Sequence, residues 1–233
     1  MKLYIESLSK SYDKNNVLDS IDYTFESGKI YGLLGRNGAG KTTLFNCINE
    51  DISTDSGKIF LETEYGKNII TTEDIGYVIS TPVVPEFLTA REFLKFYLDI
   101  NKDKAKKTID EYFDLVQIEV EDRDKLLRDY SHGMKNKMQI LINVISNPRV
   151  ILLDEPLTSL DIVVQEEIKK LLKTLKKDHI IIFSTHIMEL AIDLCDEIVL
   201  LNNKKLSTVE KNDLNTKKYK EKIINLLKDE KNA

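Results

Sequence analysis

A glycine-rich segment early in the chain has the residue types and spacing that bind a polyphosphate. It consists of Gly35-Arg36-Asn37-Gly38-Ala39-Gly40-Lys41-Thr42 and follows the apolar run 30–34. The glycines let successive backbone N–H groups point at phosphate oxygens, and the following helix presents its positive end to the same anion. Lys41 would reach the outer phosphates, and the Thr42 hydroxyl would hold a magnesium ion. The alternative is a glycine-rich turn without a ligand; the apolar strand before the segment and the helix predicted at 43–49 favour the phosphate site.

Two carboxylates follow a second apolar run, Val150-Ile151-Leu152-Leu153. They lie at the predicted carboxyl end of a buried strand, which is the edge of a parallel sheet where ligands bind. Asp154 suits the magnesium shell, and Glu155 suits polarising a water for in-line attack on the γ-phosphate. The alternative is an acidic strand end in a surface loop. The neighbouring phosphate loop favours the catalytic interpretation.

A histidine follows a third apolar run in the same way, within Ser184-Thr185-His186. His186 is therefore expected at the same sheet edge as Asp154 and Glu155. Its imidazole could donate a hydrogen bond to the γ-phosphate, or orient the water and Glu155. A lone histidine at a strand end is more often structural, so this assignment depends on its context.

The elements that must position these residues form an α/β pattern. Alternation at 3–7 and 21–25 predicts half-exposed antiparallel strands joined by a turn at 13–16, and 55–58 is predicted as a turn into a strand at 59–61. Further strands are predicted at 75–79, 150–153 and 179–183, with an amphipathic helix over 164–175. Three- and four-residue spacings predict a helical insert over 89–127. The Lys-rich end from Lys204 is predicted as a solvated helix or frayed tail.

Composition restricts the class of protein. The 233 residues are 42% hydrophobic, which is enough for a substantial core, and the formal charge of −5 argues against a nucleic-acid-coating surface. Cys47 and Cys195 are expected as buried side chains rather than as a disulfide or metal ligands. The N-terminus lacks an apolar signal region, and no apolar stretch approaches the roughly 20 residues that cross a bilayer. The chain is expected in the cytosol, with membrane attachment through a partner.

The order of these motifs resembles that of the ATP-binding cassette (ABC) family, and the resemblance covers nearly the whole chain. Tyr12 matches the aromatic residue that stacks on adenine in the family. The segment Tyr130-Ser131-His132-Gly133-Met134-Lys135-Asn136-Lys137 occupies the place of the family's signature sequence. Ser159-Leu160-Asp161 matches a loop that crosses the dimer interface, and His186 matches the family's switch histidine. The phosphate loop corresponds to the family's P-loop.

The resemblance implies a fold and a division of the chain. The expected fold is an α/β P-loop NTPase core with a mainly parallel sheet, an N-terminal antiparallel β subdomain and an inserted α-helical subdomain. Residues 1–233 would form a single ABC ATPase domain, with 1–80 and 146–210 as the ATP-binding core. Residues 81–145 would form the helical signature subdomain, and 211–233 a C-terminal helix or tail.

The resemblance also implies a head-to-tail dimer in which each signature closes on the ATP held by the other subunit. Ser131 and Gly133 begin a predicted helix, whose hydroxyl and N–H groups make a second anion site. They would contact the partner's ATP, and Asp161 would lie in the interface loop. The expected ATP-binding residues are Tyr12, Asn37, Gly38, Ala39, Gly40, Lys41, Thr42, Thr43, Ser131 and Gly133. The expected cofactors are ATP and Mg²⁺, with Thr42, Asp154 and, less directly, Ser80 at the metal.

Two positions depart from the family pattern. Ser80 stands where the family has a glutamine that touches magnesium and the attacking water, and its hydroxyl is too short to reach the same point directly. A bridging water, or Thr81, would substitute, or hydrolysis would be slowed. His132 replaces the first signature glycine and Tyr130 replaces a leucine. The added side chain of His132 would hinder dimer closure or point away from it.

A single cassette of this kind resembles the separate nucleotide-binding subunit of an exporter-type transporter whose pore is another polypeptide. The expected docking surface is a groove lined by Phe87, Leu88, Phe93 and Phe96, although Phe93 and Phe96 are more simply core of the helical part. One alternative is a nucleotide-dependent regulatory or self-immunity module with weak hydrolysis, and Ser80 is the residue that favours it. Another is a soluble ABC protein acting on DNA or the ribosome; the chain lacks the long coiled coils or paired cassettes of those proteins.

Overall fold

The computed structural model describes residues 1–158, 160–209 and 216–228. The strands are β1 (Lys2–Tyr12), β2 (Asn15–Glu26), β3 (Ile30–Leu34), β4 (Ser56–Thr63), β5 (Gly66–Ile69), β6 (Ile75–Val78), β7 (Val150–Asp154), β8 (Ile180–Thr185), β9 (Glu197–Asn202) and β10 (Lys205–Val209). The helices are α1 (Lys41–Ile48), α2 (Ala90–Ile100), α3 (Ile109–Leu115), α4 (His132–Ser146), α5 (Ile162–Leu175), α6 (Met188–Leu194) and α7 (Thr216–Lys228). Short 3₁₀ turns lie at Thr72–Asp74, Val120–Asp122 and Leu127–Asp129. The predicted α/β fold is confirmed.

A four-stranded antiparallel sheet has the order β2-β1-β4-β5. Its strands are longer than predicted: the turn occupies only Asp13 and Lys14, because Asp13 adopts a left-handed φ of 53° that reverses the chain at once. The predicted turn at 55–58 is wrong for Ser56 onward, since β4 begins there. Gly57 makes this possible, because its φ is 86° and a Cβ would lie 2.5 Å from the carbonyl oxygen of Glu6.

A six-stranded sheet has the order β10-β9-β3-β8-β7-β6, parallel except for the edge strand β10. Every residue of β3, β7 and β8 is buried, as the continuous apolar runs predict for a sheet covered on both faces. One face packs on α1 and the antiparallel sheet, and the other packs on α2 to α5. Since β7, β8 and β3 are neighbours, their carboxyl ends bring the segments after Leu34, Asp154 and Thr185 to one edge of the sheet.

The helical insert predicted over 89–127 contains α2 and α3, and α4 follows it; two 3₁₀ turns lie between α3 and α4. Thr89 with Glu92 and Thr108 with Glu111 form capping boxes at the starts of α2 and α3. Phe93 is buried as expected, whereas Phe96 is 56% exposed, so its assignment to the core is wrong. The reason is helical geometry: Phe96 lies two residues, or about 200°, around α2 from the buried Leu94.

The prediction for the chain after Lys204 needs correction. Lys205–Val209 is strand β10, which pairs with β9 and buries Val209. Helix α7 packs Tyr219 and Ile223 against Leu34, Ile198 and Leu200 rather than standing in solvent. The abundance of lysine concealed apolar residues at four-residue spacing. The remaining terminal residues, 210–215 and 229–233, lie outside the described part of the chain.

Within the described ranges, no helix combines the length and the apolar composition needed to cross a bilayer.

Candidate active site

The phosphate loop joins the carboxyl end of β3 to the first residue of α1, Lys41. Gly40 precedes the helix with a φ of 103° and offers no side-chain cap, and the first turn of α1 has no acidic residue. A Cβ on Gly40 would lie 2.8 Å from Val17 Cγ1, so the loop can pass this close to β2 only with glycine. An uncapped, positive helix end is the anion site that the sequence predicts.

Lys41 and Thr42 extend from the first turn of α1 toward the acidic strand end. Lys41 Nζ donates to the Gly35 carbonyl oxygen at 3.0 Å and lies 3.9 Å from Glu155 Oε1. Burial lowers the pKa of the Lys41 ammonium, while the Glu155 and Asp154 carboxylates act in the opposite direction. The Thr42 hydroxyl donates to Asp154 Oδ2 at 2.8 Å. The structure therefore brings the predicted phosphate and metal groups together.

Glu155 lies directly after β7 with a left-handed φ of 50°. Its Oε2 is 2.7 Å from His186 Nδ1 and 3.2 Å from the Thr158 hydroxyl, which donates to it. An ionised carboxylate can only accept, so His186 must carry its proton on Nδ1 in this contact. His186 thus lies at the predicted sheet edge and orients Glu155, one of the two arrangements expected for it.

A cleft of about 510 Å³ collects most of the predicted nucleotide-contacting residues. Its lining consists of Tyr12, Val17, Asn37, Gly38, Gly40, Lys41, Thr42, Thr43, Ser80, Asp154 and Glu155. Tyr12 is 46% exposed, and Lys10 Nζ lies 5.5 Å from the centre of its ring. Ala39 is absent from this lining, since its side chain packs on the core and its N–H donates to the Arg36 carbonyl oxygen at 3.1 Å. The volume of this cleft suits a nucleotide, and Lys41 and the loop glycines in its lining suit a polyphosphate.

The oxygen atoms beside Lys41 fit Mg²⁺. Thr42 Oγ1 and the Asp154 carboxylate are hard oxygen donors within hydrogen-bond distance of each other. Mg²⁺ is commonly held by one or two such protein groups together with substrate phosphates and water. Ser80 also lines the cleft. Its assignment as a metal ligand stays a prediction.

Besides Ala39 and His186, three predicted residues do not line this cleft. Ser131 caps α4 by accepting from the Met134 N–H at 3.2 Å, and Asp161 caps α5 by accepting from the Val164 N–H at 3.0 Å. Gly133 is the second residue of α4 and is buried. A Cβ at this position would lie 3.1 Å from Val164 Cγ1. The start of α4 therefore rests on the start of α5. Ser159 lies outside the described residues.

The two unusual signature residues have different environments. Tyr130 is buried in the core of the helical part and donates from its hydroxyl to the Asp122 carbonyl oxygen at 2.9 Å. His132 is exposed at the first turn of α4. Of the two replacements, only His132 therefore places a side chain in solvent beside Ser131.

Sequence reasoning missed Val17, Thr158 and Ser184. Val17 lines the cleft from β2, and nothing in the sequence signals this contact. Ser184 is fully buried beside Asp154, to which its hydroxyl donates at 2.5 Å. Ser184 pairs with Asp154 in adjacent parallel strands, a register that the sequence pattern alone does not reveal.

Comparison with known proteins shows the family of this chain. A family model described as ABC transporter matches residues 18–158. The chain is 32% identical over 208 residues to the uncharacterised ABC transporter ATP-binding protein YxlF of Bacillus subtilis (strain 168), an alignment that covers 88% of this chain and 69% of YxlF.

Two further relatives are named for the transport of different substrates, and only one of the names states a direction. The bacitracin transport ATP-binding protein BcrA of Enterococcus faecalis is 32% identical, over 84% of this chain and 65% of BcrA. A probable sulfate/thiosulfate import ATP-binding protein, CysA of Chlorella vulgaris, is 31% identical, over 88% of this chain and 89% of CysA. The chain thus spans about two thirds of the length of YxlF and BcrA.

Among solved structures, an ATP-binding subunit of an ABC transporter superposes with a TM-score of 0.77 at 23% identity, covering 96% of this chain and all of that one. This likeness establishes the fold. The family match and the relative at 32% identity show that the chain belongs to the ABC transporter family, as an ATP-binding domain.

Proposed function

We propose that this chain is the ATP-hydrolysing subunit of a transporter, and that ATP-driven head-to-tail dimerisation is coupled to export through a separate membrane subunit. The observation that carries the proposal is the division of the site. Lys41, Thr42, Asp154 and Glu155 meet in one cleft, whereas Ser131 and Gly133 lie at a different helix end that does not line it. A second copy would supply that helix end to the γ-phosphate.

Hydrolysis in this site rests on charge and orientation. Lys41 and the N–H groups at the start of α1 bind the phosphates. Mg²⁺ held by Thr42 and Asp154 would supply positive charge to the phosphate oxygens. Glu155, held by His186 and Thr158, orients and polarises the attacking water. Loss of the γ-phosphate removes the bridge between the two subunits, and the dimer opens.

Exposed apolar side chains on α2 and the segment before it support a protein partner. Phe87 is 80% exposed, Val83 68%, Ile100 65% and Phe96 56%. Phe96 and Ile100 are four residues apart and so share one face of α2. We propose that these side chains form part of the surface that the membrane subunit covers. Leu88 packs partly on the core and Phe93 is buried, so only part of the predicted groove is available.

Export rather than import is supported by the signature segment, in which Met134 and Lys135 resemble the short signatures of exporter-type cassettes. Relatives named for bacitracin transport and for sulfate import are similarly identical to this chain, so direction needs its own measurement. Inside-out vesicles that contain the chain and its membrane subunit should accumulate substrate when ATP is added. Depletion of preloaded substrate would instead show import.

The first test is Glu155→Gln in the purified chain. Turnover should fall by about a hundredfold or more because the water loses its base, while ATP binding is retained. The trapped ATP should hold two copies together, visible as an ATP-dependent dimer by size-exclusion chromatography with light scattering. Hydrolysis at the parental rate would remove Glu155 from the catalytic role.

A second candidate function is a regulatory or self-immunity module with weak hydrolysis. Ser80 is the observation that favours it, since a short hydroxyl lines the cleft where the family has glutamine. Steady-state ATPase rates of the chain alone and with its co-expressed membrane subunit separate the two functions. A rate that the membrane subunit raises several-fold supports transport, and a low, unresponsive rate supports the module.

A further inference from the structure

A buried hydroxyl joins the two acidic residues of the cleft from the neighbouring strand. We propose that Ser184 is a positioning residue for hydrolysis, whose hydroxyl fixes the Asp154 carboxylate and holds the backbone of Glu155 in its left-handed conformation. The proposal rests on the roles given above to Asp154 and Glu155. It adds a residue that reaches neither nucleotide nor water itself.

The sheet register places Ser184 beside both residues. Ser184 pairs with Asp154 in the parallel ladder of β7 and β8 and is fully buried. Its Oγ donates to Asp154 Oδ1 at 2.5 Å and accepts from the Glu155 N–H at 3.1 Å. The Ser184 carbonyl oxygen accepts from the same N–H at 3.2 Å. One residue therefore supplies both acceptors of the Glu155 N–H.

The backbone of Glu155 explains why such a contact is needed. A residue with a Cβ rarely adopts a φ of 50°, and such a conformation persists where the surroundings hold it. Without this turn the Glu155 side chain would leave β7 in the direction set by the pleat. The left-handed conformation directs it instead to His186 and Thr158.

The Asp154 carboxylate is held at both of its oxygens. Oδ1 accepts from Ser184 and Oδ2 accepts from Thr42, which fixes the plane of the carboxylate. Without the Ser184 hydroxyl, Oδ1 would be buried beside an apolar group and would turn to seek another donor. Rotation of the carboxylate would then misplace Oδ2 and the Thr42 hydroxyl together. Groups that orient metal-binding side chains act in this way.

A simpler explanation is that serine fills a narrow position in a buried strand. If serine only fills space, a variant should lose folding stability in proportion to the packing contacts it removes, and its kinetic constants should not change. Positioning predicts a loss in kcat and a higher Mg²⁺ requirement, with little change in ATP affinity measured without Mg²⁺. The two explanations therefore differ in quantities that can be measured separately.

The test is Ser184→Ala in the full chain, with Ser146→Ala as the matched control. Ser146 donates to the Asn143 carbonyl oxygen within α4 and is not among the residues that line the cleft. For Ser184→Ala, kcat should fall by about 10–100-fold and the Mg²⁺ concentration for half-maximal turnover should rise several-fold. ATP affinity measured by calorimetry in EDTA should change by less than about twofold. The control should keep the parental values.

Further variants keep the result decisive. Ser184→Cys preserves size with a weak donor and should also lower kcat, whereas Ser184→Thr keeps a hydroxyl and should recover part of it. These two variants decide the question if Ser184→Ala does not fold. In the Glu155→Gln background, Ser184→Ala should raise the Mg²⁺ concentration at which ATP-dependent dimers form. That readout does not depend on turnover.

The outcomes separate this inference from the proposed function. If Glu155→Gln hydrolyses ATP normally, the role of Glu155 fails whatever Ser184 does. If Glu155→Gln is inactive and a folded Ser184→Ala variant has the parental kcat and Mg²⁺ requirement, only the positioning role of Ser184 is overturned.

Discussion

Ser80 and Glu155 line the same cleft but differ in reach. The side chain of Glu155 is long enough to reach His186 and Thr158, and its hydrogen bonds to them orient its carboxylate. Ser80, two residues after the end of β6, contributes only a hydroxyl close to the backbone. At the scale of single residues, we therefore predict that the rate of hydrolysis depends on a water that bridges Ser80 to the metal site.

Ser80→Gln should raise turnover, or leave it unchanged, if serine is a weakened version of the family's glutamine. The longer amide would contact the metal and the attacking water directly, and a rise of several-fold is expected. The measurement is steady-state ATPase of the parental and variant chains over a range of Mg²⁺ concentrations. A fall in turnover with ATP binding intact would show that the serine hydroxyl is specifically required.

At the scale of elements, the sequence predicts those strands and helices in which an apolar run is followed directly by glycines or charged residues. The strand–loop–helix unit of β3 and α1 and the strands before Asp154 and His186 belong to this group. Strand β5 escaped prediction because Gly66-Lys67-Asn68-Ile69 is wholly exposed and mostly polar. Strand β10 and the packing of the predicted C-terminal helix, α7, escaped prediction because lysines dominate the composition of this end of the chain. The role of Ser184 depends on register between distant strands, which periodicity does not reveal.

Helix α7 provides a prediction at this scale, since two adjacent isoleucines have different environments. Ile223 is fully buried against β9 and β10, and Ile224 is 37% exposed. Ile223→Ala should lower the free energy of unfolding by about 2–5 kcal/mol, because it removes buried methyl groups and leaves a cavity. Ile224→Ala should cost under about 1 kcal/mol. Thermal or urea unfolding of both variants gives the comparison, and equal losses would contradict the packing of α7.

At the scale of the whole molecule, Ser131 does not line the cleft of its own chain, and in the proposed head-to-tail dimer it would complete the site of a second chain. Contacts within the chain connect the two half-sites: Asn136 of α4 donates to the Pro156 carbonyl oxygen at 2.5 Å, next to Glu155. Gln165 of α5 donates to the carbonyl oxygens of Leu157 and Leu160 at 3.2 and 3.1 Å. The segment after Glu155 is thus hydrogen-bonded to α4, which begins in the signature segment, and to α5.

Mixing two inactive variants tests this arrangement. Lys41→Ala removes the phosphate contact of a chain's own cleft, and Ser131→Asp keeps the cap of α4 but sets a negative charge against the partner's ATP. Each variant alone should be inactive. An equal mixture should recover about a quarter of parental ATPase, because half of the dimers then contain one complete site. A mixture as inactive as its components would contradict the head-to-tail arrangement.

The exposed side chains of Val83, Phe87, Phe96 and Ile100 also determine how the isolated chain behaves in the laboratory. Without a protein to cover it, this surface favours self-association at high concentration. Sulfate and phosphate salts strengthen that tendency, because they are excluded from protein surfaces and promote the burial of apolar groups. The formal charge of −5 provides modest colloidal repulsion against it. Chloride buffers of low ionic strength, well above the isoelectric point of about 5.4, therefore suit purification of the chain without its partner.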